Sequence, residues 1–216
     1  MGIKDSLRRR KATRQPLRYF FIYCEGEKTE RDYFEALERK YKKLGPIKLK
    51  IIPEREPRGI AKKAVDRVKA ERATKQERDS FDENDQVWAV FDYDDHTHYE
   101  DAIKTYEKGR VPVARSNPCF DLWLILHLEE YDRAGRQNEV QRYLKTFRPE
   151  YDPDKNKSCD CDHLVKSVED AEARAARQLD LRHREGSPFG PPSTTVGHLT
   201  AAIRSAAQAA GRLSQR

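Results

Sequence analysis

The stretch FIYCEGEKTE, Phe21 to Glu30, decides how the rest of this chain is read. An aromatic and β-branched run ends at Cys24 and gives way at once to Glu25-Gly26, with a further glutamate, Glu30, five positions after Glu25. The run has the composition of a buried strand. Thr29, with Asp32 three residues on, has the form of a capping box that opens a helix. Tyr33, Phe34, Leu37 and Tyr41 would supply that helix with an apolar face. Strand, acidic turn and helix in this order make a βα unit and put Glu25 and Glu30 where a buried strand stops.

Working outward, Gly45-Pro46 breaks the helix, and IKLKII (47–52) alternates as a second strand. Residues 60–77 read as a charged helix with Ala61, Ala64, Val65 and Val68 inward. QVWAVFD (86–92) is the third strand, and Thr97 with Glu100 boxes a helix that runs through Tyr106 and stops at Gly109. VPVAR (111–115) is a short fourth strand. Pro118 then has the place of a first helical residue behind an Asn117 cap, and CFDLWLILHL is apolar nearly all round, so it is buried. Strands alternating with helices predict a parallel four-stranded sheet covered on both faces. After residue 131 the pattern changes to helices and polar loops: NEVQRYLKTF, an Ala-rich stretch over about 162–181, and a last helix after SPFGPPSTT. This part holds too few large apolar residues for its own core. The reading is a basic arm over 1–17, an α/β core over 18–131 and a helical annex over 132–216 packed on the core.

Apolar and charged residues each make up 37% of the 216, so the chain is thinly cored and its helices highly charged. A net charge of +6 suits a polyanionic partner and a merely solvated surface equally well. More specific is the concentration of base in Arg8, Arg9, Arg10, Lys11, Arg14 and Arg18, an arm suited to the phosphates of DNA or RNA. No apolar run reaches the roughly 18 residues of a membrane helix. The basic start lacks the apolar segment of a secretory signal, and a cytoplasmic location is expected. Cys24 and Cys119 lie in apolar contexts; CDCDH (159–163) lacks the paired knuckle of a zinc site, and a reduced chain is expected.

Ligands gather at the carboxyl ends of strands in an open parallel sheet. Glu25 lies at that end of the first strand, and Asp92, Asp94 and Asp95 lie at that end of the third. Glu30 sits over the same edge, and if strands one and three are neighbours the gap between them is a switch point. Carboxylates crowded there repel one another unless divalent cations, Mg²⁺ or Mn²⁺, bind among them. Two plainer readings stay open: Glu30 complements the helix dipole, and residues 92–95 form only a polar turn. His96 and His98 read as solvated turn residues. Asp121, in the first turn of an apolar helix, either bonds backbone amides or serves as an outer carboxylate of the site. Arg115 and Asn117, on the same edge, are candidates for a phosphate contact.

A strand ending in Glu-Gly, followed two βα steps later by one ending in Asp-x-Asp, resembles the Toprim fold of topoisomerases, primases and OLD-family nucleases. The blocks CEGEKTERDYFEAL, VFDYDDH, SNPCFDLWLILH and PPSTTVGHL together resemble the RloB-like family, over about residues 19–199. The resemblance implies a phage-defence protein linked to restriction-modification or abortive infection, with an AAA-type ATPase as partner. It places Glu25, Asp92 and Asp94 on the Toprim acidic positions and matches Glu30 to a second acid of the OLD nucleases. Phosphodiester hydrolysis with Mg²⁺ or Mn²⁺ follows as the expected chemistry, with Lys28 offsetting charge on the phosphate. Two departures stand out: Asp121 where the family has Glu, and Asp95 where Toprim has Gly. A non-catalytic subunit that binds nucleic acid or the ATPase is the alternative. Asp92-x-Asp94 also resembles the haloacid dehalogenase phosphatase motif, but no Thr follows the pair and Glu25 is left unexplained.

Overall fold

A computed structural model of the chain describes residues 17–26, 28–54, 57–75, 85–93, 99–152 and 160–214. The first strand, β1 (Arg18–Cys24), leads into α1 (Thr29–Tyr41), β2 (Ile47–Pro53), α2 (Pro57–Lys75), β3 (Gln86–Asp92), α3 (Tyr99–Gly109) and β4 (Val113–Asn117). β1 pairs in parallel with both β2 and β3, and β3 pairs in parallel with β4. Strands one and three are therefore neighbours with strand two outside them, which meets the condition for a switch point between them. The sheet has a fifth member that the sequence reading lacked: β5 (Ser193–Thr194) pairs antiparallel to β4, giving the order β2-β1-β3-β4-β5. Two residues of the PPSTT block are too few to carry an alternating pattern. The result is an α/β fold with a mostly parallel sheet flanked by helices.

Strand alternation sorts the side chains onto two faces. Phe20, Ile22 and Cys24 of β1 share one face with Trp88 and Val90 of β3 and Ala114 of β4. That face is covered by α1, α4 (Asp121–Leu126), α5 (Gln137–Phe147), α6 (Cys161–Leu164), α7 (Val168–Arg184) and α8 (Val196–Ser214), whose buried residues join one continuous cluster. Phe21, Tyr23, Ala89 and Phe91 point the other way, onto Ile60, Ala61 and Ala64 of α2 and Tyr106 of α3. The last helix locks onto the first βα unit at Gly211, where a Cβ would come 2.0 Å from the Leu44 carbonyl oxygen. Only a residue without a side chain allows that approach. Among the described residues no helix is long and apolar enough to cross a membrane.

Three local readings are corrected. Thr29 is the first helical residue, not the cap; Lys28 holds the cap position and makes no side-chain capping bond. α1 is held instead by its buried face, Tyr33, Phe34, Leu37 and Tyr41, with Glu30 and Asp32 in the first turn and Arg39 and Lys40 in the last, each suited to the helix dipole. Asn117 ends β4 rather than capping a helix, since its side-chain amide donates to the Phe189 carbonyl (2.9 Å). The Asn117–Pro118 bond is cis, and α4 starts three residues after Pro118, at Asp121. Cys161 is disulfide-bonded. The expectation of a fully reduced chain therefore holds only for Cys24 and Cys119, which are free and buried. The expected cap at Thr97, with His96 and His98, lies outside the described residues.

Candidate functional site

Glu25 follows the last residue of β1, and Asp92 is the last residue of β3. Because Cys24 is opposite Val90 in the ladder, Glu25 and Asp92 stand one residue out of step on adjacent strands. Standard strand spacing and rise put their Cα atoms about 6 Å apart. Alternation, however, sends them to different faces. Glu25 follows Tyr23 toward α2 and α3, where its charge helps burial raise the pKa of Tyr106. Asp92 follows Val90 toward the face under α1 and α4.

Glu30 reaches that second face from α1. It is buried, and its carboxylate occupies the space beside Gly26, where a Cβ would lie 1.6 Å from Oε2. The glycine of the Glu-Gly pair is thus explained by room for a carboxylate. The Glu30 charge adds to burial in pushing up the Cys24 thiol. Asp121 comes in from α4, 6% exposed, and is held by side chains far along the chain. The Tyr151 hydroxyl donates to its Oδ1 (2.7 Å), and the Gln141 amide donates to its Oδ2 (3.2 Å). The Cys119 thiol also points at Oδ2 (3.6 Å). Asp121 therefore does not rely on backbone amides; its charge is satisfied by donors from α5 and the segment after it.

Two buried groups report the field these acids create. Burial raises the Cys119 thiol most, and then the charges of Asp121 and Asp92 raise it further. The Tyr151 hydroxyl is pushed up by burial, then by Asp121, with Glu30 contributing. Glu30, Asp92 and Asp121 thus act on one buried neighbourhood. Beside Asp92 in the ladder stands Ser116, whose hydroxyl bonds that of Thr194 (2.9 Å), both almost fully buried. Tyr151, Gln141 and Thr194 escaped the sequence reading. Thr194 had a signal, since PPSTT was singled out as a block; Tyr151 and Gln141 lie in stretches that look like ordinary annex.

Arg115 aligns with Phe91 in the ladder and stacks its guanidinium on the Phe189 ring, 3.3 Å from the centroid. Arg115 and Asn117 thus hold the loop before β5. Lys28 is at the start of α1, on the carboxyl side of the sheet. Asp94, Asp95, Arg8, Arg9, Arg10 and Lys11 lie outside the described residues. Among the described residues no group of three or more His, Cys, Asp or Glu is gathered closely enough to hold a metal ion.

An α/β sheet with acids along its carboxyl edge defines the general class. A model of the RloB-like protein family matches residues 20–203, and the chain belongs to that family. Comparison with curated proteins and with solved structures gave no match.

Proposed function

We propose that this chain is a divalent-cation-dependent phosphodiester hydrolase of the Toprim type, a cytoplasmic phage-defence protein that works with an AAA-type ATPase encoded beside it. The observation that carries this reading is the electrostatic one. Glu30, Asp92 and Asp121 come from three different elements; beyond burial, Asp121 and Asp92 push up the Cys119 thiol, and Asp121 and Glu30 push up the Tyr151 hydroxyl that donates to Asp121. A fold that serves only its own stability gains nothing from gathering like charges there, because each raises the cost of ionising the next. The donor set is all carboxylate oxygen, which fits Mg²⁺ or Mn²⁺.

Glu25, Glu30, Asp92, Asp94 and Asp95 would hold the cation. When bound, it supplies charge neutralisation and an activated water for attack on phosphorus. Asp121, already satisfied by Tyr151 and Gln141, acts as a fixed outer carboxylate that holds α4 and its neighbours in position. Lys28 and Arg115 offset charge on the phosphate from either side, and the basic arm Arg8–Lys11 adds sequence-independent grip on the nucleic-acid backbone.

A second reading is favoured by one specific observation, the placement of Glu25 against Tyr106 on the opposite face. If Glu25 stays there, the protein is a non-catalytic subunit that binds nucleic acid or the ATPase. The test is cleavage of single- and double-stranded DNA and RNA with Mg²⁺ or Mn²⁺, alone and with the ATPase. Cleavage that falls at least about a hundredfold in Asp92→Asn and in Glu25→Gln, the scale of losing a key electrostatic group, supports the hydrolase. Cleavage unchanged by both substitutions overturns it. Binding without cleavage in every combination supports the subunit.

A further inference from the structure

The carboxyl edge carries two exposed aromatic residues that the hydrolase chemistry does not use. Tyr93, immediately after Asp92, is 42% exposed, and Phe189, in the loop before β5, is 41% exposed. Both are tied to the end of β4. The Tyr93 amide donates to the Ser116 carbonyl (2.7 Å), and the Phe189 carbonyl accepts from the Asn117 side chain (2.9 Å). Alternation along β3 puts Tyr93 on the side of Phe91, the side from which Arg115 also projects. Phe189 has φ of 71°, in the left-handed region, although Gly190 stands next to it. A bulky residue there is strained and persists only where its surroundings hold it. Arg115 and Asn117 do so, one on the ring and one on the backbone.

Exposed aromatic rings beside an arginine plane are the elements with which proteins stack unpaired bases. A paired duplex hides its base faces and offers such rings nothing. We infer that Tyr93 and Phe189, with Arg115 stacked on the latter, form a platform for the unpaired bases of a single-stranded nucleic acid, beside the carboxylates. The inference rests on the reading of this edge as a phosphodiester site and names its substrate class. The Arg115 charge contributes a cation–π term to the stack.

The test separates binding from cleavage by working in EDTA. A fluorescein-labelled mixed-sequence strand, made once as DNA and once as RNA, is titrated with protein, and each is also titrated after annealing to its complement. Fluorescence anisotropy is expected to give tighter binding of the single strand in at least one of the two chemistries. Phe189→Ala and Tyr93→Ala should each weaken it by about tenfold, the typical scale for losing one stacked base, with little effect on duplex. Phe189→Tyr and Tyr93→Phe, which keep the rings, should retain wild-type affinity, and so guard against a merely disturbed loop. Leu44→Ala, an exposed apolar residue in the turn before β2 at the opposite edge, should change nothing. Equal affinity of both alanine variants and wild type, an equal loss on duplex, or no single-strand binding by wild type would overturn the platform. Ring-dependent binding without any cleavage in Mg²⁺ would leave the platform standing and remove the hydrolase.

Discussion

The two faces of the sheet are built to different plans. Under α1 and α4 to α8, the chain buries Tyr33, Phe34, Phe120, Trp123, His127 and Tyr151 in one cluster. Trp123 and His127 both stand edge-on to Tyr33, at centroid distances of 6.2 and 5.3 Å. His127 donates from Nδ1 to the Trp123 carbonyl (2.8 Å) and accepts at Nε2 from the Tyr33 hydroxyl (3.1 Å). Under α2 and α3 the cover, among the described residues, is thinner: Ile60, Ala61, Ala64 and Val65 with the Phe91–Tyr106 stack. The difference teaches where rigidity is needed. Glu30, Asp92 and Asp121 sit on the heavily packed face, and Glu25 and the Arg115–Phe189 stack belong to the lighter one.

The comparison is broken most severely by removing Trp123. Its side chain is fully buried, and Trp123→Ala should cost about 3–5 kcal/mol, the range for large aromatic deletions. A urea titration reads this directly, and a loss below about 1 kcal/mol would mean that the heavy face does not carry the fold.

Acid comes next. Burial holds the His127 pKa down to about 4, with the Lys40 and Arg174 charges adding to the effect. The unfolded chain takes up this proton near the ordinary pKa of 6.5, and the folded chain only near 4. The stabilisation is therefore complete above pH 6.5 and is lost as pH falls toward 4, by about 3 kcal/mol in all. Stability measured at pH 7.5 and at pH 5 should differ in wild type, and the difference should shrink in His127→Leu. An identical slope in both proteins would remove His127 as the cause.

A smaller effect sharpens the account of Asp121. Tyr151→Phe deletes a hydrogen bond to a buried carboxylate and should cost about 1.5–3 kcal/mol. If the cost is nearer 0.5 kcal/mol, Asp121 is not fixed by the segment after α5, and its outer-carboxylate role fails.

Much of the α/β half was legible from the chain. β1 and β3 announced themselves by aromatic and β-branched runs that end abruptly on acids, and the helices between them by apolar spacing. That strands one and three are neighbours was a condition of the switch-point reading, and the pairing of the folded sheet meets it. The misses have physical causes. Thr29 looked like a cap, but its neighbours' burial set the start of α1 one residue earlier than a capping box would. Pro118 looked like a helix opener because a cis bond leaves no mark in sequence. β5 is two residues long, and no periodicity exists at that length. At the edge, the acids were visible as residues, but their distribution over two faces was not. It follows from the register of Cys24 with Val90, which only the folded sheet defines. The partners of Asp121 were hidden for the same reason, since Gln141 and Tyr151 are 20 and 30 residues away in the chain.

We propose that Asp92 and Glu30, on the packed face, share a divalent cation with Glu25, which must reach over the sheet edge to join them. Mn²⁺ binding to the purified protein, followed by the loss of free-ion signal in electron paramagnetic resonance, tests it without any substrate. Wild type should bind, and Asp92→Asn, Glu30→Gln and Glu25→Gln should each weaken binding at least about tenfold, while thermal stability stays equal or rises because a repelling charge is gone. Undiminished Mn²⁺ binding in all three variants, or no binding by wild type, would contradict the account.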